Sequence, residues 1–452
     1  MAKRHVLSVC INSPDWTPRV APTIVNRESG RKEAFTNSLQ RALMILLVFG
    51  IPATPSLAHA RNYYVDSRTG NDSLAGTRAQ SAWRGFRNVS SGKFLPGDSI
   101  LFSRGSKYVG GFVFRSSGSR AHPIVFASYG TGAAPAFSNP DWAVLNGNIF
   151  RIEGSHIVIR DLYFHDNTNP PTDENSHHDV QKMGVVYIGS RADSNVVRDC
   201  EFFQSPVGIK IKGRYNLITA NYLHDADRQM QRTWGAIAIM IVAPYNEISH
   251  NRITNYGYYG GAYGSDGGAI ELDGVDDAFD GRNINIHHNI SIGNHGFLEL
   301  AGRVTDSVMV AYNLSDDTDK FIGGGAMAHT TVVHNTVIRT RVPNIDRWIF
   351  WTFYPEGGSF MVRDNIFVIP RDMQVFPQTP KPEGHRRTGI GIPARSNNLY
   401  FSPGNPDPVG LALGTGELIG DPMFVDPARG DYRVQRGSPA RSHREVAGYS
   451  SQ

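Results

Sequence analysis

Residues 265–274 read SDGGAIELDG, and with Asp276 just beyond they gather Asp266, Glu271 and Asp273 around glycines in a chain that is only 19% charged. A second glutamate follows in the same local frame, since GAIELDG (268–274) and GFLELAG (296–302) carry Glu271 and Glu299 at matching positions. Two carboxyl groups held close together resist simultaneous ionisation, so one keeps its proton to a higher pH. Glycosidic hydrolysis uses such a pair: one group protonates the leaving oxygen and the other attacks or activates water. Glu271 and Glu299 are therefore the candidate catalytic residues, with Asp266 or Asp273 in support. The alternative is a solvated outer face with two tolerated glutamates.

Further residues are placed to assist. The excursion NYGYYGGAYGSDGG (255–268) offers Tyr256, Tyr258, Tyr259 and Tyr263 for stacking on sugar faces, or else is a turn without a ligand. Lys210 and Lys212, with Arg214, give the groove a cationic end that suits a uronate carboxylate, and Lys210 is a candidate base for β-elimination; a solvated face is the plainer reading. His295 sits four residues before Glu299 and is a candidate substrate contact, whereas His250, His288 and His334 recur as a surface feature. Asp276, Asp277 and Asp280, with Asp316, Asp317 and Asp319 in DDTD, supply hard oxygens of the kind calcium takes, but their spacing departs from an EF-hand loop, and a solvated acidic loop fits as well. The carboxylate chemistry requires no cofactor.

These residues ride on a repeat. After residue 150, short alternating apolar runs recur, each followed by a polar station: Asp161, Asp199, Asn221, Asn251, Asn289, Asn313, Asn335 and Asn365. The stations are 22 to 38 residues apart, which fits a basic coil of 22 to 24 residues with turns of varied length. Alternation over five or six residues indicates strands rather than helices. The expected fold is all-β, a right-handed parallel β-helix in which stacked rungs bury one apolar column and each Asn bonds the Asn of the next rung. Alternation places Tyr187, Lys210, Ala238, Glu271 and Glu299 in one outward column, with Gly189, Lys212, Met240, Asp273 and Ala301 in the next. Rungs are stacked at roughly strand spacing, about 4.8 Å, so Glu271 and Glu299 are expected to be direct neighbours.

The stretches NYYVDSRTGNDSLAGT (62–77), PGDSILFSRG (96–105), HPIVFASYG (122–130) and GDPMFVDPARGDYRVQRGSPA (420–440) resemble the opening, first-coil and closing signatures of secreted bacterial proteins of the pectate-lyase-like β-helix superfamily. The resemblance implies the coiled fold over nearly all of residues 62–440. It leaves the reaction open, because that superfamily holds lyases, glycosidases, epimerases and noncatalytic adhesins.

Composition narrows the function classes. Residues 1–60 hold seven basic and three acidic residues, leaving 38 of each in 61–452, so the body of the chain lacks the basic footprint of a nucleic-acid binder. Arg31, Lys32 and Arg41 precede the apolar run ALMILLVFGI (42–51), and Ala58-His59-Ala60 fits a cleavage site, which predicts export to the periplasm or beyond with no membrane anchor afterwards. Loss of that leader removes Cys10, leaves Cys200 without an internal disulfide partner, and makes packing the source of stability. The expected organisation is a leader (1–60), an N-terminal cap and first coils (61–150), central rungs bearing the site (151–400) and a closing coil with a tail (401–452), acting as a monomer. Three functions follow: a polysaccharide hydrolase using the carboxylate pair, a uronate lyase using Lys210, and a noncatalytic carbohydrate-binding or adhesion solenoid.

Overall fold

The computed structural model describes residues 60–169, 179–227, 234–259, 265–274, 279–301, 304–339, 349–353, 360–376 and 393–440. The chain divides into Met1–Leu57 and Ala58–Gln452, and the described residues all lie in the second unit. Residues 1–59 of the predicted leader and the aspartates Asp276 and Asp277 fall outside the described residues, as does Tyr263.

Among the described residues, strands of two to eight residues assemble into three long sheets of 12, 13 and 11 strands. Sheet 1 runs from Asn62–Val65 to Ala394–Ser396, sheet 2 from Lys107–Val109 to Leu418–Ile419, and sheet 3 starts at Phe112–Phe114. Through the central coils each turn contributes a strand to each sheet in succession, and strands of successive coils pair in parallel. This is the parallel β-helix, and the twist of L-residue strands favours right-handed winding for such crossovers. Alternation sets the inside: Ile159, Val197, Ile218, Ile248, Ile286, Val310, Val332 and Val362 occupy one register column of sheet 1, and all are buried. No rung could bury its own short apolar face; stacking does so for all of them.

The asparagine stations form a buried ladder at the corner between sheets 1 and 2. Asn221, Asn251, Asn289, Asn313, Asn335, Asn365 and Asn398 each donate Nδ2 to the side-chain oxygen of the next rung, and the last bonds Glu417 at 2.7 Å. Asp161 and Asp199 are not part of it. They stand one residue earlier in the bend, at φ 60° and 54°, and the ladder position of the Asp199 rung is taken by the buried Cys200, whose N–H bonds Asn221. Aspartate tolerates the left-handed bend that this preceding position requires, so the polar residue there marks the bend rather than the ladder. His250, His288, Tyr312 and His334 fill the same bend column, and their rings stack at 4.8–4.9 Å.

In the ladder, Asn313 Oδ1 accepts from both the N–H and the Nδ2 of Asn289, and its own Nδ2 donates to the Ile286 carbonyl. Asn313→Leu strands these buried groups at one stroke. The expected cost is about 2–3 kcal/mol, read as a lowered urea midpoint with an unchanged slope.

Candidate active site on sheet 3

Sheet 3 stacks the strands Val186–Ile188, Val207–Ile211, Ile237–Ile241, Gly268–Leu272, Leu298–Glu299 and Ile322–Ala328. Their register aligns Arg151, Tyr187, Lys210, Met240, Glu271, Glu299, Gly323 and Trp351 in one column. Glu271 and Glu299 are direct partners across adjacent rungs, as the alternation predicts. Met240, not Ala238, occupies the intervening rung. A two-residue slip along IAIMI keeps every side chain on its face, so periodicity fixes the face without fixing the position along the strand.

Four carboxylates converge here. Glu271 is 4% exposed and Asp273 fully buried, while Glu299 and Asp266 are half-buried. Asp266 arrives on the two-residue strand Ser265–Asp266, which pairs antiparallel with Tyr258, and its Oδ2 accepts the Gly235 N–H at 3.1 Å. Burial, reinforced by the carboxylates of Glu299, Asp273 and Asp266, holds Glu271 well above the ordinary glutamate range, with Lys210 opposing. Burial and then Asp266 raise Glu299 to about 8, with Lys320 opposing. Asp266 is lifted less, to about 6, because the N–H groups of Gly235 and Gly267 and the Lys320 charge counter its burial. At neutral pH the cluster therefore holds protons on its glutamates and charge on Asp266.

Lys210 is fully buried, not a groove cation. Its Nζ donates to the backbone and side-chain oxygens of Gln181, both at 2.6 Å, and Gln181 Nε2 donates to Asp273 Oδ2 at 2.7 Å. The alternation places Lys210 on the outward face correctly, but the chain around Gln181 covers that face. Lys212 is half-buried, its Nζ 5.9 Å from the centre of the Tyr187 ring, which Arg151 approaches at 4.9 Å. His295 is 3% exposed and engages backbone groups of Tyr258 and Asp266; burial, helped by Lys320, lowers it to about 4, so it is neutral. Gly257, at φ 112°, admits that imidazole, because a Cβ there would lie 2.5 Å from its Cγ. His287 belongs to sheet 1, where it meets Glu247, and is not part of the site.

Of the aromatic excursion, Tyr256 is buried in the core and is not available for stacking. Tyr258 is half-buried, and Tyr259 closes the strand Arg252–Tyr259. Of the residues offered for calcium, Asp276 and Asp277 lie outside the described residues. Asp280 is spent on Arg282, with two contacts of 2.7 Å, Asp316 accepts from Tyr432, and Asp317 is a buried ladder acceptor for Asn294. Among the described residues, no group of three or more His, Cys, Asp or Glu side chains is arranged to hold a metal ion.

Two residues that composition and spacing did not single out complete the site. Gln181 ties Lys210 to Asp273, and Lys320 joins Asp319 at 3.2 Å while acting electrostatically on Asp266, Glu299 and His295. The signal for Lys320 was the glycine run 323–325 facing Glu299: a Cβ on Gly323 would sit 2.3 Å from Lys320 Cδ, so glycine lets the lysine stem pass.

The chain matches no family model and no curated protein. Among solved structures, XylC in complex with xylose is 12% identical and superposes with a TM-score of 0.51, covering 80% of this chain and 87% of that one. A glycoside hydrolase is 11% identical, covering 87% and 99%, with a TM-score of 0.49. A PL6 family polysaccharide lyase from Pseudopedobacter saltans is 12% identical, covering 80% and 97%, with a TM-score of 0.44. At such identities the XylC likeness concerns the fold alone, and the fold it supports is the coil described above.

Proposed function

We propose that this chain is an exported enzyme that cleaves polysaccharides by hydrolysing glycosidic bonds with the carboxylate cluster of sheet 3. The observation that carries the reading is the Glu271–Glu299 register pair set beside Asp266, with Glu299 raised to about 8 and Asp266 only to about 6. Glu299, half-buried and protonated at neutral pH, donates to the leaving oxygen. Asp266, half-buried and ionised, attacks the sugar or activates water. Glu271 and Asp273 are buried in the same cluster, and Asp273 favours the protonated form of Glu299, so their roles are positioning ones. No cofactor is needed for this chemistry, and Asp276 and Asp277 are not assigned a metal.

The hold on Lys210 favours hydrolysis over elimination. An eliminating base must reach substrate and give up its proton, whereas this ammonium is buried, donates two short bonds to Gln181 and acts electrostatically on Glu271. Lys320 is likewise engaged with Asp319. With these cations committed, the cluster is better suited to an uncharged sugar at the bond cleaved than to a uronate.

No helix of the described residues is long and apolar enough to cross a membrane; the proposal of export rests on the leader signature, and the coil is proposed to act as a monomer. Product analysis of the chain from Arg61 on neutral and uronate polysaccharides tests the reaction. New reducing ends without a double bond support hydrolysis, unsaturated ends support the lyase, and binding without cleavage of any polymer supports the noncatalytic solenoid.

A further inference from the structure

A second constellation lies at the corner between sheets 1 and 2, away from the acid cluster. The tetrapeptides Tyr163-Phe164-His165-Asp166 and Tyr222-Leu223-His224-Asp225 repeat one arrangement two coils apart. Strand register sets Tyr163 beside Glu201 and Glu201 beside Tyr222, so the two tyrosines stand two rungs apart, about 9.6 Å.

In each copy the tyrosine stacks on its histidine, at 5.1 Å and 15° for Tyr163 on His165 and at 4.0 Å and 8° for Tyr222 on His224. Each histidine is held in turn by the aspartate that follows, at 2.6 Å and 2.8 Å, and both aspartates adopt left-handed backbone, at φ 48° and 59°. His224 also meets Glu201 at 3.2 Å. Both tyrosines line a groove of about 550 Å³, and neither of the histidines stacked on them does. Asp199, Glu201, Arg104 and Arg252 line it as well, and Arg252 lies 5.9 Å from the centre of the Tyr222 ring.

Braced aromatic faces suit the apolar C–H faces of sugar rings, and side chains of both signs between them suit hydroxyl groups without selecting a net charge. We propose that this groove is a noncatalytic binding site for an extended neutral polysaccharide, with Tyr163 and Tyr222 as platforms one disaccharide repeat apart and Glu201 accepting hydroxyls between them. It is independent of the carboxylate chemistry on sheet 3, and it stands whether that cluster hydrolyses, eliminates or does neither.

Affinity electrophoresis of the chain bearing Glu299→Gln, in gels containing arabinoxylan, mixed-linkage β-glucan or galactomannan, with polygalacturonate as the charged comparison, tests the site without cleavage. The expected result is retardation by at least one neutral polymer, a Kd raised about tenfold or more by the double change Tyr163→Ala with Tyr222→Ala, and retardation kept by Tyr163→Phe with Tyr222→Phe. The phenylalanine pair retains the platforms, so it separates loss of the rings from loss of the fold. No retardation by any neutral polymer, retardation by polygalacturonate alone, or unchanged retardation of the alanine pair overturns the proposal.

Discussion

Glu299→Gln lowers kcat on a cleavable polysaccharide by about 10²–10⁴-fold, the usual contribution of a positioned general acid, while the coil remains folded. The amide keeps the shape of the side chain and removes the proton that the leaving oxygen needs. The wild-type rate is expected to be bell-shaped in pH. It rises as Asp266 ionises near 6 and falls as Glu299 loses its proton near 8, with the two limbs belonging to the coupled cluster as a whole. In Glu299→Gln the alkaline limb disappears along with most of the rate. Stability moves the other way. A glutamate whose folded pKa is raised favours folding fully below its unfolded value, near 4.5, and loses that contribution as pH rises through about 8. Glu299→Gln is therefore expected to be more resistant to urea than wild type at pH 8.5, and to lose that advantage by pH 4. A variant that is inactive but destabilised across this whole range would point to a structural role for Glu299.

The sequence carried the coil and much of this site because both rest on periodicity. An interior asparagine can donate to one rung and accept from another, so a ladder needs the same residue at each turn, and Asn221 to Asn365 recur for that reason. Glu271 and Glu299 were legible as neighbours because they occupy the same place in two matching strands on consecutive rungs. What repetition does not encode is what the turns bring back over the sheet. Gln181 and Lys320 come from connecting segments, and their approach is set by packing rather than by any strand pattern. The burial of Lys210 escaped notice for the same reason, since an outward position is exposed only when nothing crosses it. The YxHD repeat shows a different limit. Its two copies are separated by a rung reading Glu201-Phe202-Phe203-Gln204, so a search between consecutive coils passes over it.

Lys210→Met is expected to cost about 3–5 kcal/mol of folding stability at neutral pH, the range for removing one partner from a buried, hydrogen-bonded charge network. The ammonium donates to two oxygens of Gln181, and Gln181 in turn holds Asp273, so one substitution leaves two acceptors unmet and loosens the support of a buried aspartate. The urea midpoint should fall sharply, while Lys212→Met, at a half-buried position beside Tyr187, should change it by less than about 1 kcal/mol. This contrast also separates the two chemistries. If Lys210 were an accessible base for elimination, its loss would abolish cleavage with little effect on folding. Because Lys210 favours the charged form of Glu271, its removal leaves that glutamate still more firmly protonated. Glu271 is thus protonated at pH 7 with or without the lysine, so a double-mutant cycle of Lys210→Met with Glu271→Gln should be additive there within about 0.5 kcal/mol. A coupling of about 1 kcal/mol or more at pH 7 would mean that Glu271 carries charge beside Lys210, and the protonation assigned to the cluster would fall with that result.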